Sequence, residues 1–366
     1  MKKRALIAAG GTGGHFYPGL ALALELKSRG WDVLFSLRRD DICQPLLDER
    51  GIPSFQLDVA GFPRSANPLR QFAFIRKTVS ALLTARRVIK DWHPDIVVGT
   101  GGYICFPAVL AGSFGGSRTL IHDSNATLGL ASKALLPFVD RIALGLPVAE
   151  LRGNPKAVIT GTPVRPQFEK KLSRAEAETE LGFQPFEKRV LLFGGSQGAK
   201  RLNAAAAKVF SSLAAELSGT HFVIVTGKAN FEAVSAQCAK TPNLSVLPYC
   251  ENMNAAMRAS DLIVARSGAG TVTELSIVRT PSLLIPLPLA ENHQQKNAGA
   301  LASCGAAKIL LETSSIERDL DAALRTLLSD SGALKAMSDA YARLDLPDAL
   351  SAARKLADTV QELVSR

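Results

Sequence analysis

Cysteine is scarce in this chain, and what there is does not pair. Cys43, Cys105, Cys238, Cys250 and Cys304 are scattered, with no C-x-x-C and no histidine–cysteine cluster. That excludes a disulfide framework and structural zinc, and it points to a cytosolic setting. No run reaches the roughly 18 consecutive apolar residues of a membrane span, so the chain is not expected to cross a bilayer. The start, Met1-Lys2-Lys3-Arg4-Ala5-Leu6-Ile7, superficially resembles a signal peptide. Its apolar part ends at Gly10, too short for an h-region, and reads as a first strand. Low-complexity segments are absent, as is the G-x-G-x-x-G dinucleotide fingerprint. Acidic residues are missing from one long stretch, 61–90, which holds Arg64, Arg70, Arg76, Lys77, Arg86, Arg87 and Lys90.

What is present describes an ordinary soluble globular chain, 47% hydrophobic and 21% charged. At 366 residues it exceeds one comfortable hydrophobic core, so two domains are expected. A net charge of +10 asks for an acidic partner. In 61–90 the basic residues interleave with Phe62, Leu69, Phe72, Phe74, Ile75, Val79, Leu82 and Leu83, which suits an anionic membrane surface. A solvated basic face on a core-facing helix is the plain alternative. Nucleic acid is not an expected partner, because no binding motif or aromatic stacking pattern accompanies the charge.

Short apolar runs alternate with helical periodicity throughout. Strands are expected over 5–9, 33–36, 96–99, 119–122, 142–143 and 158–160, then over 190–193, 222–226, 244–247, 262–265, 282–286 and 307–310. Repeated βα units imply parallel sheets covered on both faces, with ligands at the carboxyl ends of the strands. Gly161-Thr162-Pro163-Val164-Arg165-Pro166 reads as a linker between two similar α/β halves, and the tail from about 314 is helical with a break at Pro347.

Chemistry concentrates at the expected strand ends. Gly10-Gly11-Thr12-Gly13-Gly14-His15 stands between the first strand and a helix read over 18–27. Such a turn exposes amides where an anion is favoured and places an imidazole at its mouth. Thr100-Gly101-Gly102 and His122-Asp123-Ser124-Asn125 share that rim. In the second half, Gly194-Gly195-Ser196-Gln197-Gly198-Ala199 repeats the logic, and pyrophosphate is the anion that fits. Arg165 offers a guanidinium for phosphate. Next come Arg266-Ser267-Gly268-Ala269-Gly270-Thr271-Val272-Thr273-Glu274, with Ser267 or the glycines as helix cap and Glu274 suited to two ribose hydroxyls. His293-Gln294-Gln295 offers amides for sugar hydroxyls. A capping box and an exposed polar loop are the plain readings of these last two segments. The order of all these turns favours a sugar-nucleotide site.

Together the six motifs Gly10–His15, His122–Asn125, Gly161–Arg165, Gly194–Gly198, Arg266–Glu274 and His293–Gln295, in order and nearly end to end, resemble the MurG family of peptidoglycan glycosyltransferases, in glycosyltransferase family 28. The resemblance implies the GT-B architecture, two Rossmann-like doubly wound parallel-sheet α/β domains facing a cleft. It places an acceptor- and membrane-binding domain over 1–163, with the helix at about 342–366 packing back on it, and a UDP-N-acetylglucosamine-binding domain over 164–341. It implies inverting transfer of N-acetylglucosamine from UDP-N-acetylglucosamine to the 4-hydroxyl of lipid I, giving lipid II, at the cytoplasmic face of the inner membrane. Other cell-wall synthesis proteins are implied as further partners.

Carried over by residue, Thr12, Gly13 and Gly14 contact the donor sugar and diphosphate, and His15 is the candidate base, with Asp123 its rival. Asn125 holds the sugar, and Arg165, Ser196 and the turn Ala269, Gly270, Thr271, Val272, Thr273 hold phosphate. Glu274 takes the ribose, Gln294 and Gln295 the sugar hydroxyls, and Cys250 contacts uracil through backbone. The family commonly has His-Glu-Gln-Asn at 122–125 and Asn-Pro-Val-Arg at 162–165, so any role needing the reach of a glutamate is in doubt at Asp123. No cofactor and no obligatory metal are expected. The only D-x-D, Asp319-Leu320-Asp321, sits in a helical stretch rather than on a loop. Rival readings are an NAD(P)-dependent oxidoreductase using Arg38 and Arg39, a GT-B epimerase or glycolipid synthase, and a membrane scaffold with a vestigial site.

Overall fold

The structure, a computed structural model, describes residues 2–63, 67–195, 198–238, 240–288 and 292–365. The chain folds as two compact units, Met1–Arg165 with Pro347–Arg366, and Pro166–Leu346. Both boundaries fall later than the sequence places them. Arg165 stays with the first unit, its guanidinium 5.4 Å from the Tyr17 ring centroid. The turn Tyr341–Arg343 stays with the second, because the Tyr341 hydroxyl donates to Thr280 O (2.9 Å) and Arg343 to Cys304 O (2.9 Å).

Among the described residues the first unit holds seven strands: β1 (Arg4–Ala8), β2 (Asp32–Arg38), β3 (Ser54–Leu57), β4 (Ile96–Gly99), β5 (Arg118–Asp123), β6 (Arg141–Leu144) and β7 (Ala157–Ile159). All pair in parallel, in the order β3-β2-β1-β4-β5-β6-β7. Central strands are apolar on both faces, as burial between helical layers requires. The sequence reading missed β3, whose Ser54 and Gln56 interrupt the apolar run at a sheet edge. The helix Ala352–Ser365 buries Leu356, Val360 and Leu363 in this core, and Arg29 ties it down through Asp358 (2.6 Å) and Gln361 (2.7 Å).

The second unit holds β8 (Lys188–Phe193), β9 (Thr220–Val225), β10 (Leu244–Leu247), β11 (Leu262–Ala265), β12 (Ser282–Leu284) and β13 (Ala307–Ile309), parallel in the order β10-β9-β8-β11-β12-β13. Each sheet reverses its strand order once, between β1 and β4 and between β8 and β11. Ligands of doubly wound sheets bind in the crevice at such a reversal, outside the carboxyl ends of the strands.

One helix is packed inside out. Pro68–Trp92 is capped by Asn67 Oδ1 accepting from the Leu69 amide (2.9 Å) and ends at His93 in the left-handed region. Its small Ala81 and Ala85, with Ile89, face the core, while Leu69, Phe72, Ile75, Val79 and Leu83 are exposed. At 100° per residue these five share the opposite face, together with Arg76, Arg86, Arg87 and Lys90. Among the described residues no helix is long and apolar enough to cross a membrane.

Candidate active site

The reversal in the first sheet brings the turn after β1 beside the turn after β4. The helix behind β1 is Gly13–Ser28, so it starts before the expected Pro18, which lies inside it. Pro18 forfeits only the bond to Gly14 O, and Gly14 is exposed, where water can take that carbonyl. His15 therefore stands in the first helical turn, half-buried, not free at a loop mouth. Thr12 is the extended N-cap, and the helix start leaves the amides of Gly13 and Gly14 unused by the helix.

Gly101 and Gly102 form the seat of His15. Both have positive φ, +98° and +74°, and a Cβ on Gly101 would lie 2.5 Å from His15 Nδ1. Thr100 Oγ1 donates to His15 O at 2.7 Å. The glycines expected to line a ligand turn thus make room for the imidazole. Burial holds the His15 pKa below its ordinary value, against the opposing pull of Asp123 and a backbone bond with Thr100. The ring is neutral at pH 7 and able to accept a proton.

The first glycine turn already contains an anion. Asp41, buried in the loop after β2, accepts the Gly11 amide on Oδ2 (2.8 Å) and the Cys43 amide on Oδ1 (3.1 Å). A Cβ on Gly10 would come within 2.7 Å of the same Oδ2. The expected phosphate cradle is therefore narrowed to Thr12, Gly13 and Gly14. No pattern in the sequence marked Asp41.

Asp123, at the end of β5, is buried and spends both oxygens on its own loop. Oδ1 accepts from the Asn125 amide (3.1 Å) and side chain (3.2 Å), and Oδ2 from the Gly129 amide (2.8 Å). This is the work of a loop organiser, and it orients Asn125. His122 is fully buried, and its Nε2 meets Gly161 O at 3.0 Å. Burial lowers its pKa too.

In the second unit the reversal pairs the turn after β8 with the turn after β11. Gly198 packs on the end of β9, where a Cβ would sit 2.2 Å from Thr226 O. Ser196 and Gln197 lie outside the described residues. The helix Ala269–Val278 is capped by Gly268 with no side-chain bond. Of the two expected caps, Ser267 or the glycines, the glycine serves, and Ser267 Oγ donates to Gln294 O at 2.8 Å. The first helical amides, those of Ala269, Gly270 and Thr271, have no intrahelical partner, the arrangement that favours an anion at a helix start. Val272 and Thr273 do not belong to it. The Val272 amide donates to Gly268 O (3.0 Å), Thr273 Oγ1 donates to Ala269 O (2.9 Å), and both side chains are buried.

Glu274 lies one turn in and is half-buried. Gln294 lies in the first turn of the helix His293–Ala302, its Oε1 accepting the Leu287 amide at 2.9 Å, and Gln295 is exposed. Cys250 is buried beyond the carboxyl end of β10, with β9 and β8 between it and β11.

Comparison with known proteins matches this two-unit plan. Residues 5–144 match the glycosyltransferase family 28 N-terminal domain, and 189–360 match the glycosyltransferase family 28 C-terminal domain. The chain is 36% identical over 362 residues to the UDP-N-acetylglucosamine–N-acetylmuramyl-(pentapeptide) pyrophosphoryl-undecaprenol N-acetylglucosamine transferase of Elusimicrobium minutum, covering 99% of this chain and 100% of that one. It is 36% identical to the enzyme of the same name from Acetivibrio thermocellus, with 92% of each chain covered. The crystal structure of Acinetobacter baumannii MurG superposes with a TM-score of 0.74 at 28% identity, covering 99% of this chain and 100% of the other. With both halves matched and GT-B relatives aligned end to end, the chain belongs to glycosyltransferase family 28.

Proposed function

We propose that the chain transfers N-acetylglucosamine from UDP-N-acetylglucosamine to the 4-hydroxyl of lipid I, with inversion, forming lipid II for peptidoglycan synthesis. The observation that carries this is the full-length identity to an enzyme named for that donor and acceptor. No observation favours an epimerase, a glycolipid synthase or an oxidoreductase.

In the step itself the acceptor oxygen bonds to the anomeric carbon while the bond from that carbon to the diphosphate oxygen breaks. UDP leaves with the electron pair, and the hydroxyl proton needs a base. His15 is that base. Its Nδ1 is turned to the Thr100–Gly101 backbone, which leaves Nε2 for the acceptor. Asp123, its oxygens committed to 125 and 129, acts as a positioning residue for Asn125, which holds the sugar. Thr12, Gly13 and Gly14 offer amides to the donor. The developing charge on UDP falls to the amides of Ala269, Gly270 and Thr271, with Arg165 and Ser196. Preorganised dipoles of this kind stabilise a leaving anion without reorganising. Glu274 accepts the ribose hydroxyls, Gln294 and Gln295 contact the sugar, and Cys250 offers backbone to uracil.

The enzyme works as a peripheral protein on the cytoplasmic face of the cell membrane, where other cell-wall synthesis proteins are its neighbours. The exposed apolar stripe of Pro68–Trp92, flanked by Arg76, Arg86, Arg87 and Lys90, supports this reading. Stripes of this composition bury in the headgroup boundary while their cations meet anionic lipid. Lys77, in the same basic stretch, is committed elsewhere, to Asp58 at 2.8 Å. Incubation with labelled UDP-N-acetylglucosamine and a lipid I analogue tests the proposal. Label in the lipid product supports it; free sugar or an epimerised nucleotide as the sole product overturns it.

A further inference from the structure

The walls that carry the donor candidates of the second unit are tied directly by Ser267 Oγ donating to Gln294 O (2.8 Å) and Asn297 Nδ2 donating to Ser267 O (3.3 Å), and behind them stands a buried ion pair. Arg266, directly after β11, has a side chain 7% exposed, and its Nη1 donates to the carbonyls of Ile285 (3.1 Å) and Pro286 (3.3 Å). Its Nη2 is ion-paired with the carboxylate of Glu312, beyond β13, which is 4% exposed. Arg266 Nε and Glu312 Oε2 are both buried with no hydrogen-bond partner among the described residues, so the carboxylate holds the guanidinium by charge and the two carbonyls orient it. The other oxygen of Glu312 faces the guanidinium of Arg201 at 3.6 Å, in the helix Lys200–Glu216 behind the second glycine turn. From Pro286 the connection continues through the Leu287 amide to Gln294 Oε1.

We propose that Glu312 is a positioning residue for the nucleotide-sugar donor. Through Arg266 it fixes the spacing between the amides of Ala269–Thr271 and the side chain of Gln294. The proposal rests on the transferase reading above. A planar guanidinium held at two of its nitrogens is immobile, so the strand ends it bonds keep one separation. Without the carboxylate, a buried cation stands uncompensated and turns away from the Ile285 and Pro286 carbonyls. The donor groups then lose their register, while the acceptor half is untouched.

Steady-state kinetics of the full-length protein, with UDP-N-acetylglucosamine and a short-chain lipid I analogue, test this. Glu312→Gln is expected to raise the donor KM about tenfold while leaving kcat and the acceptor KM within about twofold. Arg266→Lys shifts the donor KM the same way, and Glu312→Asp, which keeps the charge, recovers most of the loss. Arg201→Ala removes only the exposed partner and folds whatever the buried pair does; it is expected to raise the donor KM about twofold to threefold. An unchanged donor KM in the folded variants overturns the proposal. So does a parallel fall in every parameter with a lower Tm, which would make the pair merely structural. A lower donor KM in Glu312→Gln also overturns it, by making Arg266 a phosphate ligand that Glu312 restrains. No transfer by the wild-type protein would instead sink the transferase reading.

Discussion

The two units share one strand order and one opening, strand to glycine turn to helix, yet they treat charge at the sheet reversal in opposite ways. In the first unit the glycine turn is occupied from within, by Asp41 on the Gly11 amide, and the open chemistry is a neutral imidazole seated on Gly101 and Gly102. In the second unit the helix after β11 leaves the amides of Ala269, Gly270 and Thr271 without intrahelical partners, and the nearby cation, Arg266, is neutralised by Glu312. The contrast teaches that a glycine-rich turn at a helix start does not by itself make a phosphate site. What the neighbouring loop places against the amides decides it.

The sharpest way to break this contrast is His15→Ala. A positioned base contributes roughly a hundredfold to ten-thousandfold in rate. Turnover should fall by at least the lower bound with UDP affinity nearly unchanged. Because burial lowers the His15 pKa, the base stays competent below pH 6.5, and activity should fall only as pH drops through that lowered value. The variant should lose this acidic limb, and Asp123→Asn should keep it. Loss of UDP binding in His15→Ala would move His15 to the phosphate side and erase the contrast.

Next in size is the basic, apolar stripe of the first unit. Each basic residue near an anionic bilayer is worth about 1 kcal/mol. Neutralising Arg76, Arg86, Arg87 and Lys90 should weaken binding to anionic vesicles by roughly three orders of magnitude, while a soluble short-chain acceptor is still turned over. Unchanged co-sedimentation would make the stripe an ordinary solvated face.

Glu274→Ala probes the donor half. Charge-assisted hydrogen bonds to two hydroxyls are worth roughly 1.5–3 kcal/mol each. The donor KM should rise at least tenfold with folding intact, and a change under twofold would remove the ribose role. The smallest effect is expected from Asp41→Ala. Losing the Gly11 and Cys43 bonds to a buried carboxylate should lower unfolding stability by about 1.5–3 kcal/mol or more, with UDP affinity unchanged. Markedly tighter UDP binding would show that the first turn is an anion nest that Asp41 blocks.

Much of this was legible in the residues. The apolar runs that became β1, β4 and β11 are short, continuous and bounded by glycine or polar turns, so periodicity located them. His15, Asn125, Arg165 and Glu274 sit at motifs whose order carried the family resemblance. Other features were not legible, for stated physical reasons. β3 mixes Ser54 and Gln56 into an edge, where one side needs no apolar cover. The helix start at Gly13 was hidden by Pro18, which usually marks a first turn but here costs one exposed carbonyl's bond. Val272 and Thr273 share a motif with their neighbours, yet helical rotation turns both side chains inward. Lys77 belongs to an acid-free stretch, yet Asp58 just outside it takes its charge.

By itself the sequence determined the repeated βα plan, the family and the kinds of group at each strand end, because periodicity and spacing are local properties of the chain. Tertiary structure alone decided which of those groups are spent and which remain open. Asp41 reaches Gly11 across 30 residues of chain, Thr100 reaches His15 across 85, and Ser267 reaches Gln294 across 27. Hydrogen bonds and ion pairs between strand ends depend on sheet order, and sheet order brings together residues whose separation along the chain carries no signal.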